Sequence, residues 1–206
     1  MTALAAPRMR IRLALALIAL VLLFGLAKTA GLFAPADMAA MRLMARLHAW
    51  SGADLATQAS LGLAALGKGS ARLYIALVAG LFLAFAGRPR AMLWLLGTVL
   101  LMMIVNQLLK TGFAIPRPDL PEALAMAAGH SYPSGHATGA MTLWGAIALV
   151  GRMRWLTAVC ALMILATGLS RVWLGVHWPS DVAGGWLEGA AGLLLLSLTL
   201  PARTEG

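Results

Sequence analysis

The sequence predicts an all-α, polytopic membrane protein: a bundle of six transmembrane helices in one domain over residues 1–206, with extra helices in the outer interface. Three observations predict it. Mean hydropathy is +0.86. Only 11% of residues are charged, where a soluble domain carries about a quarter. Six long apolar runs recur along the chain, with arginines clustered in alternate gaps between them. In hydrocarbon every backbone N–H and C=O must be paired within the protein, and helices achieve this within one segment.

The first run, Ile11–Ala27, follows Arg8, Arg10 and Arg12 and is expected to be an uncleaved anchor, since no clear small-x-small cleavage site follows it. Asp37–Trp50 interleaves Met38, Met41, Leu43, Met44, Leu47 and Trp50 with Arg42, Arg46 and His48, the pattern of an amphipathic helix lying in an interface. Leu55–Leu66 is too short to span and is expected to be a second interfacial or re-entrant helix. Ala71–Gly87 and Ala91–Leu109 follow, parted by Arg88 and Arg90. After the polar loop Lys110–His136 come Ala137–Val150 and Trp155–Leu169, parted by Arg152 and Arg154. Val182–Leu200 closes the series ahead of Arg203. Several runs fall below the ~20 residues of an ideal span, so their helices are expected to extend into flanking polar residues. The single Cys160 has no partner for an internal disulfide and is read as an inert packing group.

Six spans put all eight of the inter-run and terminal arginines on one side, with Glu205 as the only acid there. The positive-inside rule makes that side the cytoplasm, so both termini are cytoplasmic in the cell's inner membrane. Lys28–Ser70, Lys110–His136 and Ser170–Asp181 then share the periplasmic or extracellular face. The net charge of +9 is dispersed between apolar runs and forms no basic stripe, which argues against nucleic acid as a partner.

Three polar clusters converge on that outer face. Lys110 ends the third run and is followed by Arg117-Pro118; Pro133-Ser134-Gly135-His136 opens the fourth; Ser170-Arg171 and His177-Trp178-Pro179-Ser180-Asp181 precede the sixth. Charged groups of this kind are costly beside lipid, about 2.5–3.5 kcal/mol each at a helix centre, so they need water or a polar cavity. Three cations (Lys110, Arg117, Arg171) against one carboxylate make a site for an anion. Arginine's planar fork matches tetrahedral oxyanions, and Ser134 and Gly135 at a helix start offer free backbone N–H groups. Metal-ligand spacing is absent, and one acid is too few for a two-metal site, so no metal or cofactor is expected. Phosphoryl transfer without metal needs cations, a nucleophile and a general acid. Asp181, four residues beyond His177, is placed to fix that imidazole's tautomer and leave its other nitrogen free to attack phosphorus; His136 would protonate the leaving oxygen.

Lys110-x6-Arg117-Pro118, Pro133-Ser134-Gly135-His136 and Ser170-Arg171-x5-His177-x3-Asp181 together resemble the three-part signature of the type 2 phosphatidic acid phosphatase (PAP2) superfamily, with every signature position present in order. The resemblance implies a membrane enzyme acting on lipid phosphates without metal. It implies His177 as the nucleophile that becomes phosphohistidine, Asp181 as its orienter and His136 as general acid, with Lys110, Arg117, Ser134, Gly135 and Arg171 binding phosphate. Candidate substrates are phosphatidate, phosphatidylglycerophosphate, undecaprenyl pyrophosphate and the phosphates of a lipid A-type glycolipid. The motifs read phosphate and do not rank these lipids. Rival readings are a phosphotransferase passing the group to an acceptor other than water, and a non-catalytic lipid-phosphate binder or transporter.

Glu188 stands two turns beyond Asp181 and is expected to be protonated or hydrogen-bonded inside the bundle, to Asn106 or Gln107. His48 and His130 are expected to have no catalytic role, with contact to a headgroup left open for His130. Gly135-x3-Gly139 and Gly185-x3-Gly189 are read as sites of close helix packing. None of these features sets an oligomeric state.

Overall fold

A computed structural model describes residues 6–121 and 123–201. The described residues form eight α-helices and no strand: α1 Pro7–Thr29, α2 Ala34–Leu47, α3 Ala53–Leu66, α4 Gly69–Phe85, α5 Pro89–Phe113, α6 Gly135–Gly151, α7 Arg154–Trp173 and α8 Pro179–Leu196. A single 3-10 turn, Ser197–Thr199, follows α8. Each apolar run coincides with one of these helices to within a few residues. Proline occupies the first positions of α1, α5 and α8, where its missing N–H costs nothing and its fixed φ favours the helix.

Four described helices are long and apolar enough to cross a bilayer: α1, α5, α7 and α8 with its 3-10 turn. The α3–α4 pair counts as a fifth if taken as one broken span, bent by 68°. The expected six is therefore not reached by length and composition. The reason is physical: α4 and α6 have 17 residues each, roughly 26 Å at 1.5 Å per residue, against about 30 Å of hydrocarbon. Polar flanks do extend α1 and α5, to 23 and 25 residues.

Helices α6 and α8 sit centrally, α8 packing on α6 and α1, α6 on α5 and α7. Their approach is close because α8 presents Gly185 and Gly189. A Cβ on Gly185 would stand 2.6 Å from the Ser134 carbonyl oxygen, and one on Gly189 2.7 Å from Met141 Cβ. The larger apolar core lies between α4, α5, α6 and α8, around Leu95, Val99, Leu143, Ala146 and Leu193. Leucines 15, 23 and 26 of α1 face outward, as lipid-facing residues do. Cys160 is buried and free, as expected.

The two ends of the bundle differ in chemistry. At one end Arg10 Nη1 donates to the Ser197 carbonyl at 2.9 Å, and Arg88 Nη1 to the Val150 carbonyl at 3.1 Å. The arginine-bearing starts of α1 and α5 thus lie beside the ends of α8 and α6; Arg203 and Glu205 fall outside the described residues. The other end collects the last turns of α1, α5 and α7 and the first turns of α6 and α8, and with them all three polar clusters.

Candidate active site

The local structure of Ser170–Asp181 follows from two residues. Helix α7 stops at Gly175, whose φ of 74° lies in the left-handed region that glycine enters without a Cβ penalty. The Gly175 N–H then bonds the Val172 carbonyl at 3.0 Å and the Val176 N–H bonds the Arg171 carbonyl at 3.2 Å, a Schellman motif that reverses the chain. Pro179 starts α8 two residues after His177, and Asp181 caps it by accepting the Trp178 N–H at 2.9 Å. The reversal and the cap together set His177 beside Asp181 at the mouth of the bundle.

His177 is almost wholly buried and its two nitrogens have different partners. Nδ1 lies 3.3 Å from Asp181 Oδ2 and 3.3 Å from Ser131 Oγ. Nε2 lies 3.0 Å from Arg117 Nη1. A guanidinium can only donate, so Nε2 must accept; the ring proton is therefore on Nδ1, shared by Asp181 and Ser131. Burial is the main cause that lowers the His177 pKa to about 4, offset in part by Asp181 and reinforced by Arg117 and Lys110. The ring is thus neutral near pH 7, with its lone pair on the nitrogen remote from Asp181.

Asp181 Oδ2 is fully engaged by the Ser131 hydroxyl, the Trp178 N–H and His177. Oδ1 faces Lys28 Nζ at 3.0 Å. Arg117 leaves its loop to donate from Nε to the Ala128 and Gly129 carbonyls (3.2 and 3.0 Å) and from Nη1 to the Val176 carbonyl at 2.8 Å. Burial lowers the Arg117 pKa, with Asp181 opposing the shift. Lys110 Nζ donates to the carbonyls of His130 and Ser131 at 2.7 and 3.2 Å. Arg171 is 4% exposed, and its Nε and Nη1 bond no described residue. It is an electrostatic neighbour of both Arg117 and His136. A buried cation in that condition is unfavourable by several kcal/mol until an anion meets it.

Ser134 N-caps α6, its Oγ accepting the Ala137 N–H at 3.5 Å, while its own N–H donates to the Asp181 carbonyl at 3.0 Å. That last bond ties the start of α6 to the start of α8. His136, in the first turn of α6, has Nε2 3.1 Å from the Ala64 carbonyl. A carbonyl only accepts, so Nε2 carries a proton and Nδ1 is the position at which a proton can come and go. His136, His177, Lys110, Arg117 and Gly135 line one cavity of about 240 Å³.

The eight residues singled out from the sequence therefore meet at one end of the bundle. Others were missed. Arg72, hidden inside the apolar run Ala71–Gly87, lines the same cavity and donates from Nη1 to the Gly135 carbonyl at 2.9 Å. It corrects the reading of Gly135-x3-Gly139 as a helix-packing stripe: a Cβ on Gly139 would stand 1.2 Å from Arg72 Nη1, so the missing side chain admits a guanidinium. Ser131 and Lys28 were missed because neither falls in a recognisable spacing. Glu188 is held as expected, Oε2 accepting from Asn106 Nδ2 at 2.8 Å and the Thr138 hydroxyl at 2.7 Å. His48 packs edge-on against Trp173, with Nε2 3.0 Å from the Trp173 carbonyl, and does not line the cavity that His136 and His177 share. Among the described residues no three His, Cys, Asp or Glu side chains converge as metal ligands.

A helical membrane bundle carrying paired histidines among buried cations defines a class, and sequence comparison identifies it. The chain belongs to the PAP2 superfamily, whose family model matches residues 91–205. It is similar to an undecaprenyl-diphosphatase of Sulfolobus acidocaldarius, 43% identical over 65 residues, covering 30% of this chain and 29% of that protein. It is also similar to undecaprenyl-diphosphatase BcrC of Bacillus subtilis, 35% identical over 86 residues, covering 40% of this chain and 44% of the relative. The matched segments thus span less than half the length of these relatives. The fold is that of a transmembrane PAP2-type phosphatidylglycerolphosphate phosphatase from Bacillus subtilis, with a TM-score of 0.81 over 90% of this chain and 94% of that one at 23% identity.

Proposed function

We propose that this chain is a metal-independent hydrolase of lipid phosphate or diphosphate esters, working through a phosphohistidine at the outer face of the cytoplasmic membrane. The observation that carries the proposal is the partnering of the His177 nitrogens: Nδ1 lies 3.3 Å from Asp181 Oδ2 and Nε2 3.0 Å from a guanidinium, which assigns the proton to Nδ1 and the lone pair to Nε2. That is the arrangement of an oriented nucleophile in an anion site.

In the first step Nε2 of His177 attacks phosphorus, a P–N bond forms and the P–O bond to the lipid breaks. The departing oxygen takes a proton from Nδ1 of His136, which enters the step doubly protonated, the form that a bound phosphate's negative charge favours, and whose Nε2–H stays on the Ala64 carbonyl. Arg117 leaves His177 Nε2 for a phosphate oxygen, and Arg171 gains in the anion the partner that its Nε and Nη1 lack among the described residues. In the second step water attacks phosphorus and gives a proton back to His136; the P–N bond breaks, releasing phosphate and neutral His177. Asp181 keeps its charge throughout and stabilises the positive imidazole of the intermediate.

Support for a lipid substrate comes from the setting. The site lies at the ends of helices long and apolar enough to span. A mostly apolar cavity of about 220 Å³ at the end of α7, walled by Met38, Met41, Met44, Leu120 and Val172 with Arg42 and His48 among its lining, offers the kind of surface that acyl or prenyl chains use. The arginine-rich end argues for a cytoplasmic opposite face and cytoplasmic termini in a six-span arrangement. Names among the relatives favour diphosphate and phosphatidylglycerophosphate esters as the first to test.

The test is purified protein in detergent assayed for phosphate release from phosphatidate, phosphatidylglycerophosphate, undecaprenyl pyrophosphate and lipid A, with and without EDTA. Release from at least one, undiminished by EDTA, is expected. No release from any, or strict dependence on added Mg²⁺, overturns the proposal. A phosphorylated acceptor with little free phosphate would make the chain a phosphotransferase instead.

A further inference from the structure

We propose that Lys28, at the end of α1, is a positioning residue for the reaction: with Asp37 of α2 it clamps the first turn of α8 and holds Asp181 ionised and oriented against His177. Lys28 Nζ lies 3.0 Å from Asp181 Oδ1, 3.2 Å from Asp37 Oδ2 and 2.6 Å from Ser180 Oγ. Two of these contacts, to Asp37 and Ser180, are hydrogen bonds and the third, to Asp181, is an ion pair; the side chain is 5% exposed. Asp37 completes the clamp by accepting the Ser180 N–H at 3.0 Å and the Ser180 hydroxyl at 2.5 Å.

The charges explain why the clamp matters. Asp181 is fully buried beside an imidazole that is neutral at rest. A buried carboxylate with no cation beside it takes a proton or turns away from its partner. Oδ2 has three donors, but Oδ1 faces only Lys28 among the described groups. Removing Lys28 strands Oδ1: Arg117 and Lys110 still act on Asp181 electrostatically, but neither makes an ion pair with that oxygen, so the carboxylate is no longer held in place and the Nδ1–H tautomer of His177 loses its fixed acceptor. Asp37 balances the charge of Lys28, so the clamp adds no net positive charge that would draw phosphate to the wrong side of Asp181. None of this is visible in the signature motifs, because the contacts join residues 143 and 152 positions apart.

The kinetic arm of the test rests on the hydrolase reading above; a second arm does not. Lys28→Met should lower kcat about 10- to 100-fold, the range for outer partners that orient a histidine, with KM within about 3-fold because Lys28 does not line the cavity that His136 and His177 share. Lys28→Arg should restore most of the rate. On an Asp181→Asn background Lys28→Met should cost little more, since it acts through Asp181. An unchanged kcat in Lys28→Met, or an equal loss on both backgrounds, overturns the proposal. Independently of turnover, ¹⁵N spectra of histidine-labelled protein in micelles should show His177 as the Nδ1–H tautomer in wild type and Lys28→Arg, and a changed tautomer or mixture in Lys28→Met. An unaltered His177 signal in Lys28→Met sinks the inference. Wild type inert toward every lipid phosphate would instead sink the hydrolase reading, leaving the spectra to decide Lys28.

Discussion

Arg117 Nη1 donates to His177 Nε2 across 3.0 Å, so the proposed nucleophile is covered at rest by the cation proposed to hold its substrate. Burial, with Arg117 in support, keeps the His177 pKa at about 4 against an ordinary 6.5. The sign follows: the lone pair is present above about pH 4 and is lost as pH falls through it. With the substrate's own ionisation divided out, the acid limb of kcat/KM should lie near pH 4. In Arg117→Ala, where a nearby cation no longer opposes protonation, the limb should move upward. A wild-type limb at about pH 6.5, or no movement in the variant, contradicts this reading of the pair.

Arg171 is a buried fork, two of whose nitrogens have no partner among the described residues. Lysine preserves the charge but cannot make two parallel hydrogen bonds to phosphate. Arg171→Lys should reduce kcat/KM about 10- to 100-fold, in keeping with the roughly 1.5–3 kcal/mol of a charge-assisted hydrogen bond. A near-native rate would show that charge alone suffices there.

Gly139 makes room for Arg72, whose Nη1 would stand 1.2 Å from an added Cβ. Gly139→Val should expel the guanidinium from the Gly135 carbonyl and impair phosphate hydrolysis, and Arg72→Gln should impair it comparably. The two losses should not add in the double variant, since both act on one side chain. Additive losses would mean that Gly139 matters for helix packing and not for Arg72.

Much of the fold was legible because apolar runs and arginine pairs are local signals, and each run became a helix. By length and composition the described helices supply four or five of the six expected spans, since α4 and α6 stop at 17 residues and α3 meets α4 at a 68° bend that composition does not encode. The signature residues were legible because polar groups stand out in an apolar chain at fixed spacings. Lys28 was not: from sequence it reads as a span-end lysine, and only the packing of α1 on α8 brings it to Asp181. Arg72 was obscured by the apolar run around it, and Gly139 by a spacing that usually signals helix contact.

The most direct measurement is to stop turnover of a ³²P-labelled lipid phosphate within the first cycles and map the label on the protein. The account predicts acid-labile, alkali-stable phosphate on His177, absent from His177→Ala, which should also lose turnover. No protein-bound label during active turnover, or equal labelling and phosphate release in His177→Ala, would contradict it.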